Sequence, residues 1–325
     1  MKTKRLGRTD VMVPHVGMGT AFLGIVEVNQ AAEAYSDLTQ PWQVPLDEDQ
    51  GAEAVIAAIE GGCGLIDTAP LYCAGASERM IGEALKCRPN LVDRATVTTK
   101  VGQQYGVIDH SYDAVMRHVD ESLKRLGIQR FDVLFIHDAM DVPMDRVMAA
   151  DGALGALRQL QKEGIVSWVG SAANDPATNA DYIETGEFDA AVIPECWSLL
   201  NQRARERILP AAEKHNVGLV GATALERGLL ATGPVQGTDY LARNFTQDVL
   251  DHVGQIQALC QDHDVPLAAV SLQWCTRHPQ VASTIPGVRV PAEARANVAA
   301  AAVEIPNSLW ADLEPLVRHW PVSQV

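Results

Sequence analysis

Short apolar runs rich in β-formers alternate with longer stretches of helical period over nearly the whole chain. The predicted strands are 12–18, 64–67 (GLID), 95–100 (ATVTTK), 131–137 (FDVLFIH), 165–170 (IVSWVG), 188–193 (FDAAVI), 217–221 (VGLVG) and 282–285 (ASTI). Amphipathic segments at 50–60, 78–85, 111–126, 145–163, 202–215, and 249–263 followed by 267–277 fill the intervals. The strand runs are nearly continuous in apolar residues, so both of their faces need cover, and a parallel sheet clothed in helices supplies it. Eight such units in 325 residues fit a single-domain (β/α)8 TIM barrel spanning 1–325.

An open, doubly wound sheet is the rival. Its best support is Gly17-Met-Gly19 directly after a strand, but the third glycine of GxGxxG falls at position 22, where Phe22 stands. No helical pattern opens there. A long stretch at about 20–50, containing PWQVP, follows instead and is expected to form a loop over one end of the barrel. Charge narrows the partners: 26 Lys plus Arg against 41 Asp plus Glu give a net charge of −15, which argues against nucleic acid or an anionic membrane. Oligomeric state is left open. No apolar window approaches a membrane helix or a signal peptide. The six cysteines form neither a CxxC pair nor a Cys/His cluster, so no metal site is expected, and reduced thiols in a cytoplasmic protein are.

In a parallel barrel the chemistry sits at the carboxyl ends of the strands. Polar residues that end apolar strands are therefore the candidates: Asp67, followed by Thr-Ala-Pro-Leu-Tyr72; Lys100; and His137, followed by Asp138. Each has a plainer reading, as a turn cap, a snorkelling lysine, a hydrogen-bonded core histidine or a packed tyrosine. Four of them at one mouth shift the balance towards hydride transfer at a carbonyl carbon, where the oxygen gains or loses a proton. A tyrosine needs a neighbouring cation to serve as the acid/base near neutrality, which Lys100 offers, while Asp67 keeps that lysine charged and His137 directs the substrate oxygen. A Schiff-base barrel enzyme using Lys100 is the alternative outside this chemistry. With only one histidine ending a strand, a metal cage is poorly supplied.

These residues lie within a pattern that resembles the aldo-keto reductase family along almost the whole chain. The matching features are the opening Leu-Gly-Arg-Thr and Gly17-Met-Gly19-Thr20, then Ile66-Asp67-Thr68-Ala69-Pro70-Leu71-Tyr72 leading to Gly75-Ala-Ser77-Glu78. Thr98-Thr99-Lys100, Ser122-Leu123-Lys-Arg-Leu126, the strand ending at His137, Gly228-Leu229-Leu230 and Ile285-Pro286-Gly287 follow in order. The resemblance implies a barrel binding NAD or NADP in extended form, with Asp67, Tyr72, Lys100 and His137 as the catalytic tetrad. It implies cofactor contacts at Gly19, Thr20, Asp67, Ser171, Asn174, Ala222, Leu225, Gly228, Leu230, Ile285, Gly287, Arg289, Arg295 and Asn297. Departures exist: Pro194 and Ala222 stand near the family's usual glutamine and stacking aromatic, and Trp197 can supply apolar area instead.

Many NADP-preferring relatives place a cation directly after Ile-Pro. Gly287 and Val288 stand there, which favours NAD, with Arg289 within reach of a phosphate. The stretches His137-Asp138, Gly170-Ser-Ala-Ala-Asn174 and GATALERGLL are similar to a branch of sugar 1-dehydrogenases acting on L-fucose, L-galactose and D-threo-aldoses, with pyridoxal 4-dehydrogenase nearby. That similarity implies oxidation of an anomeric hydroxyl of a sugar such as L-fucose, L-galactose or D-arabinose to a lactone, with Tyr72 as general base. Tyr72, His137, Asp138, Trp197 and Trp42 are the expected substrate contacts, and general carbonyl reduction is the variant reading.

Overall fold

A computed structural model describes residues 1–35, 37–38 and 40–321 of the chain. Eight parallel strands stand side by side in chain order: β1 (Met18–Gly19), β2 (Leu65–Asp67), β3 (Thr96–Val101), β4 (Phe131–His137), β5 (Val166–Ala172), β6 (Ala190–Ile193), β7 (Gly218–Gly221) and β8 (Val281–Thr284). Parallel bridges from Val16 to Thr284 and from Gly19 to Gly287 join the first strand to the last, so the sheet curls into a barrel. Helices clothe it, among them α1 (Glu48–Glu60), α2 (Ala76–Cys87), α3 (Tyr112–Leu126), α4 (Ala153–Lys162) and α5 (Pro176–Glu184).

The predicted first strand, 12–18, is two things. Met12–Pro14 pairs antiparallel with Thr3–Arg5, and only Met18–Gly19 joins the barrel. Proline interrupts the run because it has no N–H to give a ladder. The hairpin is the barrel's floor: Leu6 and Val13 pack with Leu65, Val133, Phe135, Val192 and Val220 in a core distinct from the one under the helices. The helix predicted over 145–163 is likewise two, Met144–Met148 and α4, because the backbone at Gly152 is extended and a Cβ there would stand 2.0 Å from the Arg146 carbonyl oxygen.

Period-two alternation places the polar strand ends. Leu65, Val133 and Phe135 point into the barrel, whereas Ile66, Val97, Val101, Leu134 and Ile136 pack under the helices. Asp67, Thr98, Lys100 and His137 share parity with the inward set, so four polar side chains fall at one end of the barrel interior. The register sets Asp67 beside Thr98 on neighbouring strands.

The loop after β1 runs to α1. Its neck is closed by an antiparallel bridge between Ile25 and Leu46 and is tied to the far side of the mouth by a bond from the Gly24 N–H to the Arg289 carbonyl. Residues 36 and 39 of this loop lie outside the described residues.

Candidate active site

Lys100 is 1% exposed, and a lysine that dry needs a counter-ion. Asp67 provides it: the ammonium donates to its carboxylate at 2.6 Å and to the Thr68 carbonyl at 2.8 Å, while Thr98 donates to the other carboxylate oxygen at 2.9 Å. Burial pulls Lys100 towards neutrality, but Asp67 and Tyr72 outweigh it and the lysine ends above its ordinary range. A charged amine of this kind is a poor Schiff-base nucleophile.

Tyr72 opens a 3-10 turn (Tyr72–Gly75) immediately beyond β2. Its ring centre lies 4.7 Å from the Lys100 ammonium and 5.8 Å from the His137 ring, edge to face. Burial drives the phenol above its usual value; Lys100 opposes this without reversing it. The phenol is therefore protonated at neutral pH, ready as an acid, and the expectation that Lys100 brings it down is met in sign and overridden in size. His137 is pushed well below its ordinary range by burial, then by Lys100 and His110, so its ring is neutral. His110 bonds the His137 backbone oxygen at 2.7 Å, and nothing in the sequence pattern marked it.

Asp138 follows His137 in a left-handed conformation, φ +40°. Its carboxylate accepts from the Asn174 backbone N–H at 2.8 Å and side-chain amide at 3.0 Å, and lies 3.8 Å from His137 Nε2. Burial raises its pKa, against the pull of the Asn174 N–H and Lys100. The expected substrate contact and the expected cofactor contact thus hold each other.

Other residues expected to meet the dinucleotide are also engaged. Ser171 faces the helix layer, not the mouth, because β5 alternates, and it donates to Asn179 on α5 at 2.8 Å. Thr20 donates to the Asp67 backbone oxygen and joins Ser77 and Thr68 in a buried hydroxyl cluster. Arg289 gives its Nε and one terminal nitrogen to Glu293, and the other to the carbonyls of Ile25 and Val26. Ala222 packs against the inner core with Ile285. Leu230 is buried, Leu225 half-buried, Gly228 takes φ +104°, Arg295 is exposed, and Asn297 is buried. Gly287 is exposed, and a Cβ on it would meet nothing within 4 Å. Trp197 is stacked on Trp274 at 4.8 Å with its N–H given to Cys275, which is packing between elements.

Trp42 stands instead in an aromatic row, Phe22, Tyr35, Trp42 and Tyr105, with centroids 5.7, 5.8 and 5.5 Å apart. The row borders the Tyr72 turn through a bond from the Cys73 N–H to the Tyr35 hydroxyl. Two ion networks, each built on a buried glutamate, Glu78 or Glu226, went unpredicted. Glu78 binds Arg125 at 2.6 Å and Thr99 at 2.7 Å, which ties α2, α3 and β3 and gives Ser77-Glu78 and Lys-Arg-Leu126 a structural meaning. Glu195 and Glu226, beyond β6 and β7, engage Arg227 and Arg243, with Ser198 donating to Glu226.

A nicotinamide dinucleotide fits this mouth by donor chemistry: a proton-bearing phenol and a neutral imidazole face the same space, and the Asn174 amide oxygen is uncommitted among the described residues. Among those residues no group of His, Cys, Asp and Glu is arranged to hold a metal, and no helix is long and apolar enough to cross a membrane.

The chain is similar to pyridoxal 4-dehydrogenase of Microbacterium luteolum, 29% identical with 95% of this chain and 96% of the relative covered. It is 31% identical to D-threo-aldose 1-dehydrogenase of a Pseudomonas species, covering 82% and 88%. The fold matches the holo form of an aldo-keto reductase from Bacillus halodurans with a TM-score of 0.76, at 24% identity over 98% of this chain and 97% of that one. The model of the aldo/keto reductase family matches residues 35–318, and the chain accordingly belongs to that family as an NAD(P)-dependent oxidoreductase.

Proposed function

We propose that this enzyme oxidises the anomeric hydroxyl of an aldose such as L-fucose, L-galactose or D-arabinose to a lactone, with Tyr72 as acid/base and NAD as the preferred cofactor. The observation that carries the sugar reading is Asp138: a partly buried carboxylate beside His137, held by two Asn174 N–H groups and left with lone pairs for a substrate hydroxyl. The D-threo-aldose 1-dehydrogenase relative supports it. A bound dinucleotide would supply the acceptor for the hydride that leaves C1. Tyr72, as phenolate, takes the hydroxyl proton, and Lys100 steadies that charge while Asp67 holds Lys100 in place. His137, neutral, donates to the same substrate oxygen and fixes its direction. Because burial holds the phenol high, oxidation is expected to accelerate as pH rises, and carbonyl reduction to be favoured near neutrality.

NAD is favoured because no cation directly follows Ile285-Pro286, where Gly287 and Val288 stand, and Arg289 is neutralised by Glu293. Six free thiols, five of them buried, support a reducing cytoplasmic setting. A second reading, a pyridoxal 4-dehydrogenase, is favoured by the aromatic row, whose faces suit a pyridine ring. The test is growth of reduced-nicotinamide absorbance with NAD or NADP and L-fucose, L-galactose, D-arabinose or pyridoxal. Tyr72→Phe should lose about 10²–10⁴-fold in rate. Activity on pyridoxal alone replaces the sugar, and full activity in Tyr72→Phe overturns the assignment of the acid/base.

A further inference from the structure

The turn that carries Tyr72 is held in an unusual way. Cys73 and Ala74 adopt φ +51°, and Gly75 follows at φ +82°. L-residues avoid this region, and a non-glycine backbone remains there only where its surroundings over-determine it. Part of the surroundings is local: the Tyr72 and Ala74 N–H groups bond back to Ala69 and Leu71. The Cys73 N–H does not. It donates at 3.1 Å to the hydroxyl of Tyr35, on the loop after β1, and that hydroxyl in turn donates to the Ala21 carbonyl. The Cys73 thiol reaches the Ala21 and Leu23 carbonyls, so the same leg of the loop receives both groups of this residue.

We infer that Tyr35 is a positioning residue: its hydroxyl locks the left-handed turn at Cys73 and so sets the direction of the adjacent Tyr72 phenol. The inference rests on the reading of Tyr72 as the acid/base. Without the hydroxyl, the Cys73 N–H has no partner, and the peptide between Tyr72 and Cys73 is free to rotate out of the strained region. The phenol would then leave the position fixed by the Lys100 ammonium and the His137 ring. Burial keeps the Tyr35 phenol well above its ordinary pKa, so it remains a donor across the working range. Its ring also belongs to the aromatic row, but Tyr35→Phe leaves the ring in place and isolates the hydroxyl.

The experiment compares wild type, Tyr35→Phe, Cys73→Gly, the double variant and Tyr72→Phe, all as full chains with saturating dinucleotide. Misplacing a reacting group predicts that Tyr35→Phe lowers kcat by about 10–100-fold, with the dissociation constant for the dinucleotide unchanged. With the ring still buried, the alkaline limb of oxidation should move to higher pH, because burial, the largest influence, continues to raise the phenol, Asp67 and Asp138 raise it further, and the opposing pull of Lys100 is lost; His137, neutral, adds no charge. Glycine occupies the left-handed region without strain, so Cys73→Gly should restore most of the lost kcat in the double variant. Unchanged kcat in Tyr35→Phe, or a loss with neither pH shift nor recovery, overturns the inference. Should Tyr35→Phe fail to fold, the double variant is read against Cys73→Gly alone: no further loss supports the inference, and a large one overturns it. Full activity in Tyr72→Phe would instead condemn the underlying reading.

Discussion

The two halves of the barrel mouth are built on different terms. Around β2 to β4 the charges are taken out of water and paired on rigid strands: Asp67, Lys100 and Thr98 are each 3% exposed or less, and their bonds lie between 2.6 and 2.9 Å. From the rim between β4 and β5 round to β8, polar groups are satisfied by one another, as Asp138 beyond β4 is by Asn174 beyond β5, and Arg289 by Glu293. The first half is preorganised before anything binds, and its electrostatic work is already done. In the second half a ligand must exchange partners or use what is left over. Rate should therefore be set by the first half, and selectivity by competition in the second.

Removing one charge from the preorganised half is the harshest test of this difference. Lys100→Met leaves the Asp67 carboxylate buried with Thr98 as its remaining side-chain donor, and stability measured by denaturant unfolding should fall by about 3–5 kcal/mol. Activity should vanish as well. Adding Asp67→Asn ought to recover much of the stability and none of the rate. If the single variant is as stable as wild type, the pair is not the anchor of this half, and the contrast fails.

Much of the first half was legible in the sequence, because it depends on strand parity and strand ends. A carboxylate, a lysine and a histidine that close apolar runs can only gather at one mouth once the strands are parallel, and Asp67, Lys100 and His137 do so. Parity also shows what was missed: Ser171 follows Gly170 by one residue and so faces α5, which a motif read as a string does not reveal. Arg289 and Trp197 were read by position along the chain, but their partners Glu293, Ile25, Cys275 and Trp274 are set by packing. The short β1 was overextended because Met12–Pro14 carries the same apolar pattern while serving a different sheet. The stretch at about 20–50 reads as loop throughout, whereas a short helix occupies Val28–Glu33 and α1 opens at Glu48, and its bond to the Tyr72 turn has no signal in spacing.

Competition in the second half can be measured through cofactor choice. The family resemblance puts Arg289 forward as the cation to meet a 2′-phosphate, and Glu293 occupies it at 2.6 Å. Glu293→Gln removes the competing charge. The freed guanidinium should improve binding of NADP relative to NAD by about tenfold, the worth of one charge-assisted bond. Dissociation constants from fluorescence titration of both dinucleotides provide the check. A wild type that already prefers NADP a hundredfold, or a variant with unchanged preference, means that Arg289 does not govern the choice.

The smallest expected effect concerns whether the second half also stores buried charge. Glu226 accepts from Ser198 and, at 3.3 Å, from Arg243, yet burial raises its pKa from 4.5 to about 7. For a carboxylate raised on folding, the native state holds the proton more tightly than the unfolded chain. Its stabilising contribution is full below the unfolded value and is lost as pH climbs through about 7. Glu226→Gln mimics the protonated form at every pH. The variant's melting temperature should therefore rise relative to wild type on going from acid to alkaline buffer, by about 1–2 °C for each kcal/mol released in a chain of this length. Buried neutral histidines such as His110 and His118 change stability in the opposite direction, but both proteins share them and they cancel in the difference. A gap that stays constant with pH would mean that Arg243 fully compensates Glu226. The second half would then be as well paired as the first, and only ligand competition would separate them.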